Sequence, residues 1–389
     1  MGLMLKALLQ LFSKYVHPFE KKADKFFRKV KSGSSRSRAH KKLEKLMQEN
    51  LVILNLWMEK KYKNYVYLKK RVRRRMYEDV ELMKKDFLDY EAMHKLNRSA
   101  VFEHFKKLGI EFPIHSENQI MYLATIMSYL RPGPRYAYQE SANFGKLLKN
   151  PLKEKLIGDC NQIVTLYSFL YTLKYPIGDL QIKILPKHVC LHFRGIDIEA
   201  TNGSFKKYTD YDDILPITEL LTTNLLDVLD AEVQTAQIDP RTIVKRAQLA
   251  YLISSKRELV DRNLDIAYRN LGIRLMAENQ FNSAIFYFEK LRDQKLIQNA
   301  YHNAAVYYIK RKNFSKARYF AKHSRNDDLM RACYMGEYSE LSKKVRNIKN
   351  LEKAKSYKAT YRKMLNLARK GGDDQAEASV RKILKQLGS

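Results

Sequence analysis

The sequence predicts a mainly helical protein with a small α+β core set between basic helical regions. Three observations carry that expectation. From Ala39 to Arg98 there is no Pro or Gly, and apolar residues recur at steps of three and four, the period of an amphipathic helix. Between Leu180 and Thr201 apolar and polar residues alternate around a two-residue turn, the period of a hairpin. From about residue 245 the chain reads as helix again and repeats itself every 33 residues.

The 389 residues allow two to four domains, and 45% hydrophobic content excludes a wholly disordered chain. Three scattered cysteines, Cys160, Cys190 and Cys333, do not make a disulfide scaffold and point to a reducing, cytoplasmic setting. No run approaches 18 apolar residues, so no spanning helix is expected. The formal charge of +31 is uneven: residues 1–110 carry a net +16, 111–240 a net −4, 241–340 a net +9 and 341–389 a net +10. The acidic middle marks a module of a different kind, because a surface that meets anions should be basic and one doing local chemistry need not be.

The N-terminal region, 1–112, reads as a basic helical arm. Met1–Phe12 is apolar but short and lacks a small-residue cleavage site, so a signal peptide is not expected. Gly2 is followed by Lys6 where myristoylation wants Ser or Thr. After a break at Ser32–Ser35, the stripe Leu43, Met47, Leu51, Leu54, Met58 continues as Met76, Val80, Met83 and Phe87, which predicts one long helix over about 40–96. A helix of that length must bury its stripe against another helix or a second copy, so a homo-oligomer is one expectation. The densest cationic run, Lys69–Arg75, reads as a solvated helix face or as a contact for an anionic membrane surface or acidic partner. The second would put the protein at the inner face of the membrane. Nucleic acid is disfavoured, since no zinc knuckle, RNP motif or GxxG loop accompanies the charge.

The central region, 113–235, carries the chemistry. Asp159 is placed to cap a buried apolar helix beginning at Cys160, where unpaired N–H groups and the helix dipole favour a thiolate. Asp159 itself pushes the other way. Leu180–Leu185 reads as a strand. His188–Phe193, the turn Arg194-Gly195 and Ile196–Thr201 then form a hairpin in which His192 faces Asp197, Cys190 faces Glu199, and His188 lies diagonal to Glu199. A thiol at a helix start, a histidine and a carboxylate on neighbouring strands are the parts of a nucleophile, base and orienting group. The same residue types are zinc ligands, but alternate positions on a strand stand about 7 Å apart, a poor fit to a tetrahedral site, so no metal or other cofactor is expected. His192 with Asp197 reads equally well as a structural contact, and Cys190 as packing.

Gly158-Asp-Cys-Asn before an apolar helix, Pro186-Lys-His188, and Gly195-Ile-Asp-Ile-Glu-Ala-Thr-Asn-Gly203 resemble the transglutaminase-like, papain-related core. The likeness is to bacterial transglutaminase-like proteins fused to tetratricopeptide repeats, and it covers about residues 113–230. It implies Cys160 as nucleophile, His188 as base and Glu199, just before Ala200-Thr201, as the third member. The acidic member here is Glu rather than the commoner Asp, and the one Trp of the chain, Trp57, lies in the arm.

Tyr268, Asn270, Phe281 and Ala284 recur as Tyr301, Asn303, Phe314 and Ala317. With Leu271-Gly272 and Phe288 they match tetratricopeptide spacing over 245–345, where small residues let two helices cross closely. A third unit around Gly336–Leu341 looks truncated, and 346–389 reads as a basic helical tail broken at Gly371-Gly372. The functional expectation is a cysteine-dependent amide hydrolase or acyl transferase acting on a protein that residues 265–345 recruit. The alternatives are a catalytically silent scaffold and, more weakly, nucleic-acid binding by the arm.

Overall fold

After helix α1 (Pro18–Lys31), the stretch expected to be one long helix is divided in the computed structural model, which describes residues 13–33, 35–210, 213–227 and 238–388. The apolar segment Met1–Phe12 lies outside them. Helix α2 (Arg36–Met58) runs into a π-helical turn (Glu59–Lys63), Asn64 takes the left-handed conformation at φ 57°, and α3 (Lys70–Met93) starts afresh. The break is made by bonds from far along the chain. The Glu59 carboxylate accepts the backbone N–H groups of Phe144 (2.9 Å) and Gly145 (3.2 Å), and the Lys63 ammonium donates to the Ala142 carbonyl at 2.6 Å. Both side chains are buried, and charges left there without partners would cost several kcal/mol. Inside α2, Asn50 also leaves helical geometry (φ −166°) and accepts the Ile53 N–H at 2.9 Å, restarting the helix as a cap does.

The apolar stripe of α2 and α3 is buried within the same chain, so it does not need a second copy to cover it. Nor is the arm a separate body. One unit, Met1–Leu264, holds it together with the central region, and α2 packs on the helix that carries Cys160. Two buried carboxylates tie the arm down. Glu20 on α1 meets the Arg73 Nε at 2.7 Å and accepts the Tyr77 hydroxyl at 2.6 Å. Asp24 accepts the Tyr15 hydroxyl (2.8 Å), the Trp57 indole N–H (3.2 Å) and the ammonium of Lys61. Arg73, the middle of the densest cationic run, is therefore interior, while Lys69, Lys70, Arg71, Arg74 and Arg75 remain exposed.

The rest of the first unit follows as α4 (Arg98–Lys107), α5 (Glu117–Tyr129), strand β1 (Tyr136–Tyr138), the short α6 (Phe144–Leu147), β2 (Leu156–Gly158) and α7 (Cys160–Tyr171). Strands β1 and β2 pair in parallel. A five-stranded antiparallel sheet comes next, from β3 (Gln181–Leu185), β4 (His188–Phe193), β5 (Ile196–Glu199), β6 (Ser204–Lys206) and β7 (Ile214–Pro216), in spatial order β6-β5-β4-β3-β7. The expected hairpin register is observed: His192 stands opposite Asp197 and Phe193 opposite Ile196. Arg194 and Gly195 both have positive φ (47° and 83°), as a tight two-residue turn between twisted strands requires. Helix α7 packs on β4, and α8 (Glu219–Leu226) and α9 (Pro240–Ile253) complete the unit.

The second unit, Asp265–Ser389, is helical throughout its described residues. It takes up the later part of α10 (Arg257–Ala277), then α11 (Phe281–Leu291), α12 (Gln294–Lys310), α13 (Phe314–His323) and α14 (Asp327–Val345). Helices α11 and α13 begin at Phe281 and Phe314, the two residues singled out by the repeat. Gly272 lets the helices cross closely: a Cβ there would stand 2.4 Å from the Phe288 ring. The third unit is not truncated. Helix α14 runs through Gly336 without a break, and the tail supplies its partners, α15 (Leu351–Ser356), α16 (Lys358–Gly371) and α17 (Asp374–Gln386). Val345, Tyr361, Met364, Val380 and Leu384 form their own small core, so 346–389 is a packed continuation of the array.

Candidate active site

Cys160 is the first residue of α7, as its neighbours dictate. Asp159 caps the helix by accepting the Gln162 N–H at 3.3 Å, and the Gln162 side chain returns a bond to the Asp159 N–H. Ile163 N–H goes to the Asp159 carbonyl. Of the four N–H groups that open the helix, those of Cys160 and Asn161 have no hydrogen-bond partner among the described residues. The loop after β1 braces this corner: Ser141 donates its N–H to Asp159 (3.3 Å), its carbonyl accepts the Gln162 amide, and Gln139 N–H bonds to the Gly158 carbonyl at 2.9 Å.

His188 opens β4 and Glu199 closes β5, so the hairpin register brings them together. His188 Nε2 lies 2.7 Å from Glu199 Oε2. The Cys160 thiol is the largest cause raising the His188 pKa to about 10. The bond to Glu199 comes second, and burial opposes both. Cys160 and Glu199 thus both favour the charged form of the ring. Glu199 is buried, which favours its neutral form, but three donors outweigh burial and keep its pKa below the ordinary value. They are His188, Thr201 through its backbone N–H (3.2 Å) and its hydroxyl, and the Tyr208 hydroxyl (2.9 Å). The Glu-Ala-Thr order thus has a local reason: Thr201 clamps the carboxylate two residues before it.

Asp159 does not oppose a thiolate as a full charge. Burial, and then the charge of Asp227, push its pKa up to about 7. Tyr136 is buried and donates its hydroxyl to the Gly158 carbonyl at 2.8 Å. Tyr138, on the same strand, is 56% exposed, and its hydroxyl pKa rises through burial and the charges of Cys160 and Asp159. Cys160 itself is 7% exposed.

The remaining polar groups of the hairpin are structural. His192 donates from Nδ1 to Asp197 (2.7 Å) and accepts the Gly195 N–H at Nε2 (3.2 Å), so both its nitrogens are occupied. Asp197 also holds Lys183 (3.1 Å) and the Tyr208 N–H (2.7 Å). Cys190 is fully buried, and desolvation raises its pKa. Among the described residues no group of three His, Cys, Asp or Glu side chains could hold a metal ion. No helix among them is long and apolar enough to cross a membrane.

Of Cys160, His188 and Glu199, named from the sequence, the last two meet at 2.7 Å, and Cys160 acts on the His188 pKa. Sequence reasoning did not find Tyr208, Ser141 or Tyr138. These lie in or beside loops whose positions no period encodes, and nothing in the sequence distinguishes Tyr208 from the chain's other tyrosines. No family model, curated protein or solved structure matches the chain.

Proposed function

We propose that this protein is a transglutaminase-like cysteine enzyme, an amide hydrolase or acyl transferase acting on a protein substrate. The observation that carries the reading is His188 standing 2.7 Å from Glu199 while the Cys160 thiol is the foremost influence raising its pKa. The thiolate attacks the carbon of a carboxamide, forming a C–S bond and a tetrahedral oxyanion that the N–H groups at the start of α7 would stabilise. His188 gives its proton to the leaving nitrogen as the C–N bond breaks, leaving a thioester. It then takes a proton from the incoming water or amine, whose attack releases the acyl group and restores the thiol pair. Glu199 holds the ring's orientation and favours its charged form. The helical repeats supply the surface that brings the substrate protein to the enzyme.

A silent scaffold is the second reading, favoured by the low exposure of Cys160, 7%. One experiment separates the two. Full-length protein is treated with a thiol-directed electrophile at neutral pH and analysed by peptide mass spectrometry, beside Cys160→Ala and His188→Ala. The enzyme reading expects fast labelling confined to Cys160 and slowed by loss of His188. Labelling no faster than that of a free cysteine, or unchanged in His188→Ala, leaves the scaffold reading.

A further inference from the structure

A cavity of about 550 Å³ lies beside the corner that braces Cys160. Its wall includes Gln139, Glu140 and Ser141, the loop bonded to Asp159 and Gln162, and Ile157, three residues before the thiol. Three residues of extended chain span at most about 10 Å, so the Ile157 end of the cavity lies within about that distance of Cys160, the reach of two or three substrate residues. Its charge is unbalanced: Arg75, Lys146 and Lys149 line it against Glu140 alone. Lys149 is held by Glu154 at 3.2 Å, and Arg75 stands one helical turn before Asp79, whereas Lys146 has no ion pair among the described residues.

A second, independent feature points the same way. Tyr67 also lines the cavity, and its buried hydroxyl has no hydrogen-bond partner among the described residues. A buried donor without an acceptor costs roughly 1–3 kcal/mol, a cost removed when an acceptor arrives. Gly145 keeps the hydroxyl there, because a Cβ at that position would come within 2.6 Å of it. The floor is apolar, with Met76, Leu148 and Ile157. Cations at the rim, a lone donor and an apolar floor suit the methylenes and carboxylate of a glutamate better than a strongly hydrated phosphate.

We infer that this cavity is a substrate subsite for an acidic side chain, so that the enzyme selects a target carboxamide two or three residues from a Glu. The inference deepens the proposed activity and rests on it for the identity of the neighbouring residue, while the binding itself needs no chemistry. The test therefore uses full-length Cys160→Ala and fluorescence anisotropy with labelled peptides of one length. Each carries a central Gln, with Glu or Lys placed two or three residues to either side. Because the chain is +31 overall, a control removes the same charge elsewhere, as Lys41→Ser with Lys42→Ser on the exposed side of α2.

At physiological salt the Glu peptide should bind more tightly than the Lys peptide. Arg75→Ser with Lys146→Ser should weaken the Glu peptide about fivefold to tenfold and leave the Lys peptide unchanged or tighter. Tyr67→Phe, which removes only a hydroxyl and keeps the packing, should weaken the Glu peptide alone. Equal binding of the two peptides overturns the inference, as does an equal loss in the Lys41/Lys42 control. A Glu preference that persists while Cys160 fails to label overturns the chemistry and leaves the subsite standing.

Discussion

The charge state of His188 is the most direct quantity to measure. Its pKa stands at about 10 against an ordinary 6.5, which corresponds to roughly 5 kcal/mol of preference for the imidazolium. The Cys160 bond supplies the largest share, the Glu199 bond the next, and burial subtracts from both. Glu199→Gln keeps the shape but replaces a carboxylate acceptor with a neutral one. A hydrogen bond to a charged group is worth about 1.5–3 kcal/mol, so the midpoint should fall by about one to two pH units. Cys160→Ala should lower it at least as far. In the double variant only burial remains, and the ring should titrate below 6.5. The assay is NMR of histidine-labelled protein, with the His188 signal assigned by its loss in His188→Gln. The sign extends to stability. A pKa raised in the folded state contributes stability that is complete below 6.5 and is lost as pH rises through 10, so alkaline unfolding should be steeper in wild type than in Glu199→Gln. A wild-type His188 midpoint near 6.5 would falsify the whole account of the site.

Other perturbations give equally definite outcomes. Tyr208→Phe removes a 2.9 Å donor from Glu199, so the Glu199 pKa should rise and the acid limb of the labelling profile at Cys160 should move to higher pH. Asp24 is held at a pKa of about 2 by its ring of donors, burial notwithstanding. Its contribution is present above about 4 and lost as pH falls towards 2, and Asp24→Asn should cost about 2–3 kcal/mol in urea unfolding at pH 7 while flattening that acid loss. Gly272→Ala would gain about 1 kcal/mol of helix propensity in an open helix. Here its Cβ meets Phe288, so unfolding should instead show a net loss of about 1–2 kcal/mol. Under native conditions Cys190 and Cys333 should resist Ellman's reagent, because burial raises both pKa values, and should react only on unfolding.

What the sequence made legible and what it hid divide along the range of the interactions. The hairpin was readable because the alternation from His188 to Glu199 and a two-residue turn containing Gly195 fix one register. That register alone brings His188 to Glu199. The two repeat hairpins were readable because Phe281 and Phe314 restart the same helix 33 residues apart. The break after Met58 was not readable, since nothing local forbids helix there. Glu59 and Lys63 bend the chain to reach backbone groups at 142–145. The same limit hid Arg73, which looks like one more surface cation until Glu20 is seen beside it. The tail, read as a basic helical tail broken at Gly371-Gly372, gave no sign of its core, in which Tyr361, Met364 and Val380 pack with Val345 of α14.

The bend at Glu59–Lys63 also sets how this protein can be dissected. A chain shortened to begin near residue 113 would keep Cys160, His188 and Glu199, yet would lose the anchor that receives the amides of Phe144 and Gly145 and the ammonium that holds Ala142. Those amides belong to the segment that supports the wall next to the thiol, so the fold around Cys160 is not contained in the middle third of the molecule. Any fragment meant to keep Cys160, His188 and Glu199 in place must carry the first hundred residues along as scaffolding.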